Sequence, residues 1–344
     1  MCPQITRSMT PKPDIGPPSG SAVAAINKIE NIIGKDEGGR GMESLIVPGD
    51  LLQGATRLAR LSPRSLSRQA RVLILSGFPC CVDESPPTET DGPPGSAAIA
   101  RAAVGLGHHA TIITDECNRE VFAAALQSLW ESCLTAAANV ELVTYPSEDK
   151  MSEEEWKHLE GLTESTDLIV ACERAGPAKD GRCYTMRGID MTGRGLIAPI
   201  HKVVELARRN KVAFVAIGDG GNELGMGKVL DEIIANPKIA NADKIAAVMP
   251  ADDLIAASVS NWGGYALAAA ALVVHNSDRK RGRLGIDSCV PTEEEEIKLL
   301  RKCVMAGCRD GVSGQMELTV DGMPLETSMK CLRRIRAAAL EAEC

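Results

Sequence analysis

The sequence predicts a three-layer, doubly wound α/β fold, a mostly parallel sheet with helices on both faces. Three observations predict it. Short apolar runs alternate with helix-length segments along the chain. Several of those runs are continuously apolar, as strands buried on both faces of a parallel sheet are. Hydrophobic residues make up 44% of the 344 positions but aromatics only 3%, so the core is built from Ala, Val, Ile and Leu. Alternation of strand and helix then stacks the layers.

Residues 1–20 are rich in Pro, Ser and Thr and read as a mobile tail. Residues 21–344 read as a single α/β domain opened by a helical extension over 21–70. In that extension Val23, Ile26, Ile29, Ile32 and Ile33 have helical spacing, with Gly34 as the stop. A glycine-and-charge turn around Arg40 follows, and a second helix starts beyond Pro48-Gly49-Asp50. Strands are expected at 72–75, 110–113, 140–143, 168–171, 212–217 and 245–248. Helices are expected near 95–106, 119–138, 153–162, 196–209, 228–236, 263–275, 293–306 and 326–342. In such a fold ligands bind at the carboxyl ends of the strands, so the loops there are the ones to search.

Charge narrows the function classes. The chain has 38 basic and 46 acidic residues, net −8, which gives no general attraction to nucleic acid. The cluster Arg279–Arg283 reads as a solvated loop. No run approaches the ~20 apolar residues of a membrane helix, and the N-terminus lacks an apolar signal core. An intracellular protein acting on a small molecule is therefore expected, with homo-oligomerisation left open. Arg7 and Lys12 without an acid before Asp14 permit an organellar transit peptide, while Pro3, Pro11 and Pro13 disfavour its helix. The twelve cysteines include no Cys-x-x-Cys and no zinc spacing, and are expected to be reduced thiols.

Four loops carry candidate chemistry. After the first strand, Glu89 and Asp91 sit in a stretch stiffened by Pro93 and Pro94. They read either as helix caps or as a positioned base and ammonium-binding pair. The fourth strand runs into Glu173-Arg174-Ala175-Gly176, with Tyr184 and Arg187 following; Arg offers a planar fork to a carboxylate. The fifth strand feeds Gly218-Asp219-Gly220-Gly221-Asn222-Glu223. Its glycines suggest backbone amides aimed at an anion. It matches neither a Walker A loop nor a dinucleotide fingerprint, because Asn222 and Glu223 stand where glycines belong. Asp219, Asn222 and Glu223 instead offer oxygens to an ammonium group or a hard divalent cation. Asn261, before Trp262-Gly263-Gly264, reads as a helix cap or as a donor to a bound carboxylate. No Ser/His/Asp or Cys/His arrangement is visible.

Together, Glu89-Thr-Asp-Gly-Pro-Pro-Gly95, Glu173-Arg-Ala-Gly176, Met186-Arg-Gly188, Gly218-Asp-Gly-Gly-Asn-Glu-Leu-Gly-Met-Gly227 and Asn261-Trp-Gly-Gly264 resemble the D-glutamate cyclase domain. The segments run in order through most of residues 21–275. The resemblance implies intramolecular dehydration of D-glutamate to 5-oxo-D-proline, in animals within mitochondria; a cytoplasmic location is the alternative. The animal enzymes carry a further N-terminal domain, which this chain is expected to lack. On that reading Asp219 and Glu223 handle the amine, and Arg174 or Arg187 holds the α-carboxylate. The Gly220 and Gly221 amides meet the developing oxyanion, and Glu173 protonates the departing hydroxide. The sequence requires no cofactor; Mg²⁺ or Mn²⁺ is permitted, with Asp219 and Glu223 as candidate ligands. The competing readings are a nucleotide- or phosphate-binding protein and a non-catalytic metabolite sensor.

Overall fold

The computed structural model describes residues 16–65 and 68–342. The expected tail lies outside the described residues as far as residue 15. Its last part is already ordered, because the Ser19 side chain accepts from the Ala22 amide and caps the first helix.

In chain order the elements are α1 (Gly20–Ile33), α2 (Asp50–Ala59), β1 (Arg71–Gly77), α3 (Pro93–Gly105), β2 (His109–Asp115), α4 (Arg119–Ser132), α5 (Leu134–Asn139) and β3 (Val140–Tyr145). They continue with α6 (Glu153–Ser165), β4 (Leu168–Arg174), α7 (Lys202–Arg209), β5 (Ala213–Gly218), α8 (Leu230–Ala235), α9 (Ala242–Ile245), β6 (Asp253–Ala256), α10 (Ser260–Ser277), α11 (Glu293–Met305) and α12 (Leu325–Glu341). Every strand pairing is parallel, and the order is β3-β2-β1-β4-β5-β6. This is the doubly wound arrangement. Its strand order reverses between β1 and β4, where a crevice opens at the carboxyl ends.

The strand side chains alternate between two cores. Val72, Ile74, Ile112, Val170, Val215 and Ile217 face a layer holding α1–α5 and α10–α12. Leu73, Leu75, Ile113, Ile169, Phe214 and Ala216 face the layer of α6–α9. Period-2 alternation with both faces apolar is what the continuous runs encoded. The centre of the first layer is α10, buried from Ser260 to Val274. Its alanines and glycines let α3 approach closely: a Cβ on Gly264 would stand 2.6 Å from the Gly95 Cα.

Two expectations are corrected. The run 245–248 is no strand: Ile245 ends α9, and the next amides donate sideways, Ala247 to the Gly221 carbonyl and Val248 to the Pro177 carbonyl. The sixth strand is Asp253–Ala256, masked by the acids Asp252 and Asp253 at its start. The helix expected at 119–138 breaks at Cys133, whose backbone is extended (φ −137°, ψ 95°).

Candidate active site

At the carboxyl end of β4 the sheet carries an irregularity. Ser76 pairs with Cys172 and Gly77 with Arg174, so Glu173 is the extra residue. Its φ is +44°, a left-handed conformation in which a non-glycine residue costs about 1–3 kcal/mol. Bulges of this kind re-aim a side chain beside a site. Glu173 turns into a cavity of about 400 Å³ at the switch point, lined also by Glu89, Asp219, Asn222, Glu223, Asp321, Arg40 and Arg187.

The cavity is acidic. Glu89, Glu173, Asp219 and Glu223 are all buried, and the Asp321 side chain is 7% exposed. Burial raises the proton affinity of Glu173, and the charges of Asp219 and Glu223 raise it further. Glu89 is pushed up for the same first reason, with Asp321 adding to it. Asp321 is raised by burial and by Asp219. The counter-charge is Arg40, whose Nη2 lies 2.9 Å from both Asp219 Oδ2 and Asp321 Oδ2 and donates to the Ser258 carbonyl. Arg187 stands at the exposed rim, donating to the Val312 carbonyl at 3.2 Å.

Several sequence-derived roles change. Arg174 is not available to a substrate carboxylate: its side chain is fully buried, paired with Asp115 and donating to the Ala198 carbonyl. Asp115 in turn accepts from the Ala198 amide, so the pair pins the 175–198 excursion to the sheet. The Gly220 and Gly221 amides are not free for an oxyanion, because they donate to Glu223 Oε1 and Oε2 at 2.7 Å. The same fact removes the cradle a phosphate would need.

Asp91 and Asn261 form a reciprocal clamp between two helix N-termini. Asp91 accepts from the Ser260 and Asn261 amides that open α10. Asn261 Oδ1 accepts from the Gly92 and Gly95 amides that open α3, at 3.0 and 2.7 Å. Both residues serve as caps, although Asp91 also lies beside Asp219 and Asp321. Asn222 faces the cavity and donates to the Tyr184 carbonyl.

The sequence reading missed Arg40, Asp321 and the thiols of Cys80 and Cys81 on the cavity wall. Cys80 donates to Glu89 Oε2 at 3.2 Å. The hydrogen bond between Cys80 and Cys81, with Arg309 nearby, lowers the Cys81 thiol. For Arg40 the glycine-and-charge turn was a signal; for Asp321 nothing local pointed to the site.

The family model for D-glutamate cyclase-like, C-terminal domains matches residues 29–336. The chain belongs to the D-glutamate cyclase-like family. It is 32% identical over 326 residues to the human protein named D-glutamate cyclase, mitochondrial, an alignment covering 90% of this chain and 51% of that protein. The chain thus spans about half the length of this curated relative. In this family member, no helix among the described residues is long and apolar enough to cross a membrane.

Proposed function

We propose that this chain cyclises glutamate, with the D enantiomer preferred, to 5-oxoproline and water. The observation that carries the reading is the cavity: five buried carboxyls, with the proton affinities of Glu89, Glu173 and Asp321 raised by burial, around a space of small-metabolite size, in a member of a family named for this reaction. The chemistry asks for that. The amine nitrogen attacks the γ-carboxyl carbon, the N–C bond forms, and one C–O bond breaks. The ammonium sheds two protons and the departing oxygen gains both, so no oxidant or reductant is needed. Folding the substrate so that nitrogen and carbon meet contributes on the order of 7–11 kcal/mol in well-oriented cases.

Glu89 is the group we place as proton carrier between nitrogen and oxygen. It lines the cavity, and its raised proton affinity brings it closer to the amine it must deprotonate. Arg187 at the rim is the cation we assign to the α-carboxylate, in place of Arg174. Glu173, Asp219 and Glu223 form the part of the cavity that accepts positive charge. The mitochondrion is the compartment we propose, from the relative's name.

The test is incubation of the purified chain with D- and L-glutamate, following 5-oxoproline by chiral chromatography. Product from the D substrate is expected, falling at least about 100-fold in Glu89→Gln, as for loss of a general acid–base group. Absence of product from both enantiomers overturns the reading. Saturable glutamate binding without product would make the protein a metabolite sensor instead.

A further inference from the structure

We propose that Cys80 and Cys81 form a modification site for a hydroperoxide, which joins them as a vicinal disulfide and switches off the Glu89 carboxyl beside them. Both thiols line the cavity and are partly exposed, whereas six of the other described cysteines are buried. The two sulfurs stand 3.9 Å apart, and Cys80 Sγ donates to Glu89 Oε2 at 3.2 Å. Backbone bonds hold the pair in place: the Cys81 amide donates to the Pro87 carbonyl, and the Cys81 carbonyl accepts from the Glu84 amide. The facing loop is packed against the cluster, since a Cβ on Gly311 would stand 3.4 Å from Cys80 Sγ and 1.9 Å from Glu89 Oε2. Thiol, thiol and carboxyl are therefore one contiguous group on the cavity wall.

The two thiols are unequal. The bond between them and burial hold Cys80 well above a free thiol, while that bond and Arg309 lower Cys81. Cys81 is therefore the thiolate, the form that peroxides oxidise. Its sulfur attacks the peroxide; the O–O bond breaks, an S–O bond forms, and the departing oxygen takes up the proton that Cys81 had lost. The peroxide gains two electrons, and the sulfur becomes a sulfenic acid. The Cys80 sulfur then attacks Cys81: the S–S bond forms, the S–O bond breaks, and the Cys80 proton leaves with the oxygen as water. Adjacent Cα atoms are about 3.8 Å apart, closer than the ~4.4–6.8 Å that disulfides usually span, so the bridge is of the readily reduced kind. For its effect the inference rests on the cyclase reading, in which Glu89 carries the proton. Burial raises the proton affinity of Glu89, and the Cys80 hydrogen bond offsets this. A disulfide has no hydrogen to donate, so in the oxidised chain Glu89 stays protonated and cannot take a proton from the amine.

The test treats the reduced chain with hydrogen peroxide and reads the peptide holding Cys80 and Cys81 by mass spectrometry, beside turnover of D-glutamate. Loss of two hydrogens from that peptide is expected, with turnover falling about 10-fold or more and returning with dithiothreitol. Cys80→Ser should instead trap the Cys81 sulfenic acid, captured by dimedone. Cys81→Ser should keep its own untreated rate under the same dose. Should these variants fail to fold, phenylarsine oxide, which bridges close reduced dithiols, replaces them: it should label the peptide before peroxide and not after. An unchanged peptide mass, dimedone capture away from Cys81, or a disulfide that leaves turnover intact overturns the proposal. The two readings fail separately. The disulfide in a chain that makes no 5-oxoproline even when reduced would uphold the modification and sink the cyclase. Full turnover under peroxide with the peptide unchanged would sink the switch alone.

Discussion

Glu173 shows how sequence and structure part company at single residues. It and Arg174 are neighbours on one strand, and both read as site residues. Adjacent strand residues point to opposite faces, so one had to be wrong. The bulge turns Glu173 toward the cavity, and Arg174 is locked on Asp115 beneath it. Asp219 and Glu223 were legible because carboxylates just past an apolar strand have no evident use in a core, and Glu89 because it sits in the proline-stiffened loop that leads into α3. Arg40 and Asp321 were not, since Arg40 reaches Asp219 across 179 positions and Asp321 across 281. Glu173 also carries a prediction. Its left-handed φ and its unmatched buried oxygen both cost stability. Glu173→Gly relieves both, against the entropy glycine adds to the unfolded chain. We expect Glu173→Gly to be more stable by about 1 kcal/mol, with a higher thermal midpoint and no turnover. A lower midpoint would show that the residue is not strained.

At the scale of elements, the strand–helix alternation was legible because periodicity records which faces are buried. What failed was the distinction between a buried strand and a buried loop. Residues 245–248 are as apolar as a strand, yet they cross the ends of other loops, while Asp253–Ala256 is short and opens on an acid paired with Arg57. Apolar content reports burial, not hydrogen-bond direction. A second prediction belongs to the α10–α11 contact. The Tyr265 hydroxyl donates to Glu296 Oε1 at 2.6 Å inside the first core layer. Burial pushes the Glu296 carboxyl up to about 7 from 4.5; the Tyr265 bond offsets this in part, and the charge of Glu295 adds to it. The folded state therefore binds this proton more tightly than the unfolded chain. Its stabilising contribution is complete below the unfolded value and is lost as pH rises through about 7. The shift corresponds to at most about 3 kcal/mol. Between pH 5 and pH 8 we expect Glu296→Gln to escape most of that loss in urea unfolding. Equal losses in both proteins would assign the pH dependence elsewhere.

For the whole molecule, the site joins distant parts of the chain to the sheet. Arg40 comes from the turn after α1, Asp219 from the end of β5, and Asp321 from the approach to α12. Alpha-helical layers alone would leave the N- and C-terminal segments joined by apolar contact, α1 against α12 and α10. The guanidinium adds a directional lock at the mouth of the crevice, in a chain whose net charge is −8. Removing one partner of a buried ion pair leaves the other charge uncompensated, at a cost of about 3–5 kcal/mol, against little cost when both are replaced. Here the Arg40 side chain keeps 28% of its exposure, so the lower end applies. Arg40→Met should lose roughly 3 kcal/mol of unfolding free energy. Asp321→Asn alone should lose less, because Arg40 retains Asp219. In the double variant the two losses should fall short of their sum, since one repulsive carboxylate leaves with its counter-charge. Denaturant unfolding of the four proteins closes the cycle, which isolates the coupling between the two residues. A coupling near zero would mean that the three segments are held by apolar packing, with Arg40 a bystander at the cavity wall.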